Sequence, residues 1–304
     1  MRARTVLALH AGLALAGFAV LALALGTALG GLSFNAPSAT TLAKACVAFA
    51  LPDVSGASVA SLALGSLTMA VLLLGARSAM RQVRASRRIV RGLPRRGSGP
   101  GGSVLFEHDQ PQAYCAGLLR PRIYLSTGAV ALLDEAELDA VLAHEAHHAR
   151  ARDPLRVFVV RVLSDALFFL PAARRLGERY ATLAELAADS AAVRRRGAQP
   201  LASALLAFEA ADPAVVGIAP ERVDHLLGER APWQLPFVLL AWSLTVLVAV
   251  AVVALRLDAV HDGPALNVPL FAAQACMVLM AVLPLVLGGM GLLGACRALA
   301  RRRN

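Results

Sequence analysis

Four long apolar stretches dominate the hydropathy pattern, two on each side of a more polar middle segment. They lie within residues 1–31, 57–80, 232–256 and 268–296, and their charged residues are confined to the flanks. A membrane-spanning helix needs about 20 consecutive, mostly apolar residues. The first stretch is also too long for the core of a secretory signal, which is about 7–15 residues. The pattern therefore predicts four transmembrane helices.

Basic residues gather at one end of each predicted span. Arginines precede the first and third spans and follow the second and fourth, whereas the loops 32–56 and 257–267 hold one lysine and no arginine. Cytoplasmic loops carry an excess of Lys and Arg close to the spans. This asymmetry predicts a multi-pass protein of the cell membrane with both loops outside. A basic linker (81–103), the middle segment (104–230) and a basic tail (297–304) would then be cytoplasmic.

The composition agrees with a membrane protein. Hydrophobic residues make up 58% of the chain and charged residues 16%, against roughly 45–50% and 25% in soluble domains. The net charge of +10 is typical of proteins that bind an anionic partner, either nucleic acid or a membrane surface. Because the arginines flank the spans and no nucleic-acid recognition module accompanies them, we expect the lipid bilayer as partner and no direct nucleic-acid binding.

The middle segment mixes short strands with longer helices, which predicts an α+β domain. A hydrophobic run at 155–170, interrupted by Arg161 and Asp165, is short for a membrane span. It predicts a helix that packs within the domain or dips into the membrane interface, with a re-entrant membrane segment as the alternative. The strands are predicted at 104–108, 113–119 and 123–126.

A helix with metal-binding chemistry is predicted around residues 141–150. Its sequence contains His144, Glu145 and His148 in an H-E-x-x-H arrangement. Histidines at i and i+4 lie on one helix face and can bind one Zn²⁺, with the Glu between them as general base. Asp134 and Glu137 are spaced like a capping box that begins the helix. His147 lies at i+3 from His144 and is interpreted as a solvent-facing or supporting histidine.

A third ligand is expected downstream, because catalytic zinc has three protein ligands and one open position. Residues 178–196 predict a helix that ends in three arginines before Gly197. On it, Glu185 and Asp189 again lie at i and i+4. Glu185 is the predicted carboxylate ligand, and Asp189 is predicted to accept the free ring N–H of a zinc-bound histidine. The alternative is an ordinary solvated acidic face.

Several motifs in order resemble the BlaR/MecR-like family of integral membrane zinc metallopeptidases. These are G-L-x-x-P-x-I at 117–123, R-D-P at 152–154 after H-E-x-x-H, and E-x-x-A-D at 185–189. The resemblance covers roughly residues 104–230 and the four-span arrangement. It implies an α-helical membrane protein whose cytoplasmic α+β domain is a zincin-like (gluzincin) metallopeptidase.

The resemblance also implies roles for particular residues. It makes His144, His148 and Glu185 the zinc ligands and Glu145 the catalytic base. The segment containing Tyr114, Cys115, Ala116 and Gly117 matches the strand expected to pair with substrate. Arg222 matches the arginine of a downstream Arg-Val pair in relatives. Arg222 and His225 are both candidates for stabilising the oxyanion.

The resemblance favours a cytoplasmic transcriptional repressor as the protein substrate, cleaved in a signalling pathway. The chain ends eight residues after Cys296, so we expect no penicillin-binding sensor domain and no beta-lactam binding by this chain. The first alternative is a quality-control protease like the HtpX and CAAX prenyl proteases, whose members usually carry spanning helices between these motifs. The second is a catalytically silent membrane scaffold, which an intact Glu145 disfavours.

Overall fold

The computed structural model describes residues 3–30, 32–48, 56–211, 220–228, 234–259, 266–280 and 282–283. The chain divides into two units, one of residues 1–19 and 69–247 and the other of 20–68 and 248–304. The helices are α1 Ala3–Gly30, α2 Ala39–Ala48, α3 Gly56–Arg91, α4 Thr127–Leu132, α5 Glu135–Ala151, α6 Asp153–Ala166, α7 Pro171–Arg196, α8 Ala198–Ala211, α9 Pro220–Leu226, α10 Phe237–Ala259 and α11 Val268–Met280. The strands are β1 Leu32–Ser33, β2 Arg95–Ser98, β3 Val104–Phe106, β4 Ala113–Ala116, β5 Arg122–Ser126 and β6 Leu266–Asn267.

Three helices are long and apolar enough to cross a membrane. They are α1, α3 and α10, with mean hydropathies of 2.3, 2.1 and 2.7 over their most apolar windows. The fourth predicted span, 268–296, begins with the shorter apolar helix α11, and most of its remainder lies outside the described residues. The chain therefore has the helices of a membrane protein, and the number of spans stays a prediction.

The arginine-rich segment after the second apolar stretch is structured, although the sequence predicted a linker over 81–103. Helix α3 continues through it to Arg91 because no glycine or proline intervenes, and Gly92 and Pro94 then end the helix. Strand β2 follows and pairs antiparallel with β3, with an irregularity between Arg95 and Gly97. The linker prediction was therefore wrong for the end of α3 and for strand β2, because the density of charge in this segment masked both elements.

A four-stranded sheet in the order β2-β3-β5-β4 covers one side of the first unit. The three predicted strands are present: β3 and β4 are shorter than predicted, and β5 begins one residue earlier, at Arg122. Strand β4 pairs antiparallel with β5, with Tyr114 opposite Tyr124 and their rings stacked 5.7 Å apart. The chain leaves β4 through Gly117, whose φ of +108° and close approach to the carbonyl oxygen of Arg120 favour glycine. Strand β4 is thus an edge strand of this sheet.

Helix α5 is held by its cap and by small side chains. The Asp134 carboxylate accepts the Glu137 N–H at 2.8 Å, and the Glu137 carboxylate accepts the Asp134 N–H at 3.0 Å, so the predicted capping box is present. Ala140 and Ala143 pack with Ala192 of α7 and Leu201 of α8 in one buried cluster. Small residues at these positions let the helices approach closely, which brings the polar faces of α5 and α7 together.

The corner between α6 and α7 packs on the apolar helices within the first unit. Ser78 of α3 donates a hydrogen bond to Asp165 at 2.5 Å. His10 of α1 lies 3.1 Å from the Ser164 hydroxyl, and the Ala172 N–H donates to Ser243 of α10 at 3.2 Å. Helix α6 has only 14 residues and is not one of the three candidate spans. These hydrogen bonds attach the corner between α6 and α7 to the apolar helices.

In the second unit, the two predicted external loops contact each other. Strands β1 and β6 pair in parallel, and the Asn267 side-chain amide donates to the Asn35 carbonyl at 2.9 Å. The apolar helices of this unit share a buried cluster that includes Ala24, Leu64 and Ala254. The two loop regions therefore lie side by side in this unit.

Candidate metal centre

Helix α5 brings the rings of two histidines on adjacent turns close together. His144 and His148 are both buried, and their Nε2 atoms lie 3.2 Å apart. Two ring nitrogens this close cannot both carry a proton, so at least one lone pair points at the other ring. The two nitrogens can therefore share one proton in a hydrogen bond, or both offer a lone pair to a cation between them.

Glu185 of α7 completes a cluster that could hold a metal ion. Its Oε2 lies 3.6 Å from Nε2 of His144, and its Oε1 lies 3.6 Å from Nε2 of His148. One ligand atom from each of the three residues falls within 4.8 Å of the others. Two imidazoles and one carboxylate form a donor set that zinc accepts at catalytic sites, with one coordination position left open.

A carboxylate stands behind each histidine. Asp189, fully buried on α7, has its Oδ1 3.0 Å from Nδ1 of His144. Asp153 has its Oδ2 2.9 Å from Nδ1 of His148, and its Oδ1 accepts the Tyr180 hydroxyl at 3.3 Å. A proton held on Nδ1 by a carboxylate leaves the Nε2 lone pair free for a metal. Asp189 of α7 and Asp153 of α6 thus hold the two rings so that both Nε2 atoms point toward the same place.

Asp153 is the residue of this centre that sequence reasoning did not assign. It follows Arg152, which ends α5 and precedes α6 in a left-handed conformation with φ of 55°. Pro154 then starts α6. Because of this turn, the Asp153 side chain contacts His148, which lies five residues earlier in the chain. The R-D-P motif was the available signal, since it marks a chain reversal directly after the histidine helix.

Replacing Asp153 by Asn is expected to weaken zinc affinity about 10- to 100-fold, the usual effect of losing a partner that orients a metal ligand. Asn keeps the shape and removes the charge that fixes the His148 ring. A chelator competition titration measures the change. Asp139→Asn is the matched control, because Asp139 lies on α5 but pairs with Arg196 at the surface. Equal affinity in Asp153→Asn and wild type would contradict an orienting role.

The centre is strongly negative around the histidines. Burial by itself lowers the pKa of His144, but Asp189, Glu185 and Glu145 raise it to about 9. Burial raises the pKa of Glu145, and His144 and His148 offset part of that rise. Burial likewise opposes the charge on Glu185 and Asp189, yet their contacts with His144 dominate and lower the pKa of both carboxyls. Such a field favours a bound cation.

A cleft of about 480 Å³ opens over the cluster. Strand β4 forms one wall, where Tyr114 and Cys115 line the cleft, and α6 and α7 form another. Burial, together with Glu145 and Asp153, raises the pKa of the Cys115 thiol to about 12, so the thiol is uncharged at neutral pH. Ala116 and Gly117 belong to the same strand and turn but are not among the described residues that line the cleft.

Helix α9 brings Arg222 to the centre. Its Nε and Nη2 donate to the two Asp189 oxygens at 2.8 and 2.6 Å, and its Nη1 lies 3.6 Å from Glu185. His225 is placed elsewhere, with its Nε2 2.8 Å from the Ser190 hydroxyl, and it does not line the cleft. The two candidates for the oxyanion therefore occupy different environments, and only Arg222 reaches the metal-binding side chains.

His147 lies outside the cluster. It is partly exposed, and its ring centre is 6.4 Å from that of His148. The cluster in the described residues that could hold a metal ion contains His144, His148 and Glu185 without it.

Two comparisons find similarity to known peptidases in this region. Residues 81–209 match the family described as Peptidase family M48. A 78-residue stretch is 38% identical to a protein described as "Protease HtpX homolog" from Acidiphilium cryptum (strain JF-5). That stretch is 25% of this chain and 25% of the relative, so the similarity spans a quarter of the relative's length. These matches support a membrane metallopeptidase of the M48 type, and they favour the HtpX-like alternative over the BlaR/MecR-like resemblance.

Proposed function

We propose that this chain is a membrane-bound, zinc-dependent endopeptidase. His144, His148 and Glu185 would bind the zinc ion, and Glu145 would act as general base. The observation that carries the proposal is the convergence of three ligand atoms within 4.8 Å, beside a buried carboxylate and under an open cleft. A scaffold without catalysis would need neither the buried Glu145 nor access for a peptide.

The side chains divide the chemistry between them. A bound zinc ion would supply Lewis acidity to the scissile carbonyl. Glu145 would take a proton from the attacking water and pass it to the leaving amine. Asp153 and Asp189 would keep His148 and His144 in the tautomer that binds metal. Arg222 would position Asp189, since two of its nitrogens are already engaged by that carboxylate.

Substrate would bind along strand β4. This strand has a free edge within the described sheet, and an extended peptide can add to such an edge through backbone hydrogen bonds. Tyr114 and Cys115 would contact the residues nearest the scissile bond, because their side chains line the cleft. Ala116 and Gly117 would contact the peptide farther away.

The substrate class we propose is membrane or membrane-proximal proteins, cleaved in quality control. The M48 match and the similarity to an HtpX homologue support this choice. The attachment of α6 and α7 to the apolar helices also supports it, because Ser164, Asp165 and Ala172 tie the cleft elements to α1, α3 and α10. No contact in the described structure favours a transcriptional repressor, which remains the competing outcome of the test.

The test compares cells that carry wild type with cells that carry Glu145→Gln. If the proposal is right, the variant accumulates a broad set of uncleaved membrane proteins and copurifies with some of them. A small, coherent group of genes held repressed in the variant, with no such accumulation, would instead favour cleavage of a repressor. The same fragments appearing in both strains would contradict a peptidase that depends on Glu145.

We further propose that the termini and the peptidase domain are cytoplasmic. Arginines flank the predicted cytoplasmic ends of the spans, and the pairing of β1 with β6 supports one common side for the other ends. In a variant without native cysteines, Ser38→Cys should react with an impermeant maleimide in intact cells. Ser98→Cys should react only after permeabilisation. Both positions are exposed, so reaction of Ser98→Cys in intact cells would overturn this topology. Residue 263, a third predicted external position, lies outside the described residues.

A further inference from the structure

A second cavity of about 390 Å³ lies between α6 and α7 and adjoins the metal cleft. The two cavities share Val157, Arg161 and Ala181 as lining residues. Pro154, Val157 and Arg161 follow one face of α6 at spacings of three and four residues. A peptide leaving the metal centre along this face would pass an apolar surface and then meet a guanidinium group.

Arg161 has no carboxylate partner within 4.0 Å among the residues that the structure describes, and its guanidinium makes no hydrogen bond there. Its natural partner on the helix is Asp165, at i+4. Asp165 instead accepts a hydrogen bond from Ser78 at 2.5 Å and pairs with Arg81 at 3.5 Å. Arg161 of α6 therefore lacks its i+4 partner, because Asp165 is bound by Ser78 and Arg81 of α3.

The other acid of this cavity is also engaged. Glu178 lies 3.1 Å from Arg174 and 3.3 Å from Arg175. The cavity lining itself holds Arg161 and Arg174 beside the two carboxylates. Arg81 and Arg175 pair with the same carboxylates from outside the lining, so four guanidinium groups accompany two carboxylates. This electrostatic environment suits an anionic group entering from the metal cleft.

We propose that Arg161 selects peptide substrates by binding an acidic side chain near the scissile bond. The inference rests on the proposed endopeptidase function. Arg161 lies eight residues after Asp153, about 12 Å along the helix axis, and its side chain leans back toward the helix N-terminus. At about 3.3 Å per extended residue, the acid would stand roughly two to four residues from the cleaved bond. The substrate residues between the cleaved bond and this acid would contact Val157 and Ala181.

The experiment uses the purified full-length protein in a neutral detergent with zinc. The probes are decapeptides of apolar and small residues, each with one Glu at successive positions, and the same series with Gln or Lys. Because Arg161 is exposed, wild type should cleave the Glu peptide about two to five times more efficiently (kcat/KM) than the Gln peptide at one position, the upper range for an exposed ion pair. Arg161→Gln should abolish this preference, and Arg161→Glu should shift it to Lys. Arg194→Glu, a charge reversal at an exposed position on α7 outside both cavities, should leave it unchanged.

A second measurement separates this inference from the proposed function. Binding of the labelled Glu and Gln peptides to Glu145→Gln, with and without Arg161→Glu, is followed by fluorescence anisotropy. If no peptide is cleaved but the Glu preference in binding depends on Arg161, the inference holds and the endopeptidase proposal fails. An unchanged Glu preference in Arg161→Glu overturns the inference. It is also overturned, in favour of a lipid site, if phosphatidylglycerol raises the thermal midpoint of wild type but not of Arg161→Glu while peptide preference stays the same.

Discussion

Replacing Glu145 by Gln is expected to lower kcat/KM by a factor of about one thousand while the protein keeps about one zinc per chain. General acid–base groups contribute roughly 10²- to 10⁴-fold to such reactions. Glutamine preserves the size of the side chain but cannot accept the proton from water. The two histidines proposed to bind zinc are untouched, so metal content should not change. The measurement combines peptide cleavage by the purified protein with metal analysis of the same sample.

Glu137→Gln is the matched control for that experiment. Glu137 lies on the same helix, but its carboxylate accepts the Asp134 N–H in the capping box, a task that glutamine also performs. This variant should cleave peptides like wild type. Activity within a factor of about ten of wild type in Glu145→Gln would show that another group removes the proton. Loss of zinc in Glu145→Gln would show instead that this residue supports the metal centre.

The parts of the centre that the sequence predicted depend on local helix geometry. The histidines of α5 and the carboxylates of α7 each repeat at i and i+4, and this spacing alone places each pair on one helix face. The capping box fixed the start of α5 in the same local way, and the structure confirms it. What joins the two helices is packing of small side chains such as Ala140 against Ala192, which the alanine-rich pattern permitted but did not specify.

Contacts that depend on tertiary structure or on an unusual backbone conformation could not be predicted. Arg222 reaches Asp189 from 33 residues away; the resemblance singled out Arg222, but nothing in the sequence identified Asp189 as its partner. Asp153 reaches His148 only because Arg152 adopts a positive φ, an uncommon conformation for a residue with a side chain. Strand β2 was concealed by arginines and glycines, whose strand character comes from pairing with β3 rather than from their own preference.

The choice between related families shows a different limit. The short segment between the two metal-binding motifs argued against an HtpX-like protease, because a spanning helix was expected there. The structure has the 14-residue helix α6 in that place, and the match to the M48 family runs across it from residue 81 to 209. The length of this connecting helix is therefore a poor criterion of family.

Replacing His148 by Ala is expected to reduce zinc content from about one per chain to less than about a tenth, and to abolish activity. Removal of one of three protein ligands leaves His144 and Glu185, too few for a stable catalytic site. Binding of metal to the folded state also stabilises it, by about 4 kcal/mol when free metal is a thousandfold above its Kd. A chelator should therefore lower the thermal midpoint of wild type and have little effect on His148→Ala.

His147→Ala is the decisive control, because His147 is the neighbouring histidine and differs only in its position on the helix. It lies outside the cluster and is partly exposed, so its removal should leave zinc content and the effect of the chelator as in wild type. If His147→Ala lost zinc while His148→Ala kept it, the metal would be bound through the i and i+3 pair. Glu145 would then no longer stand between the two ligands as the H-E-x-x-H mechanism requires, and its assignment as the base would fail with the ligand set.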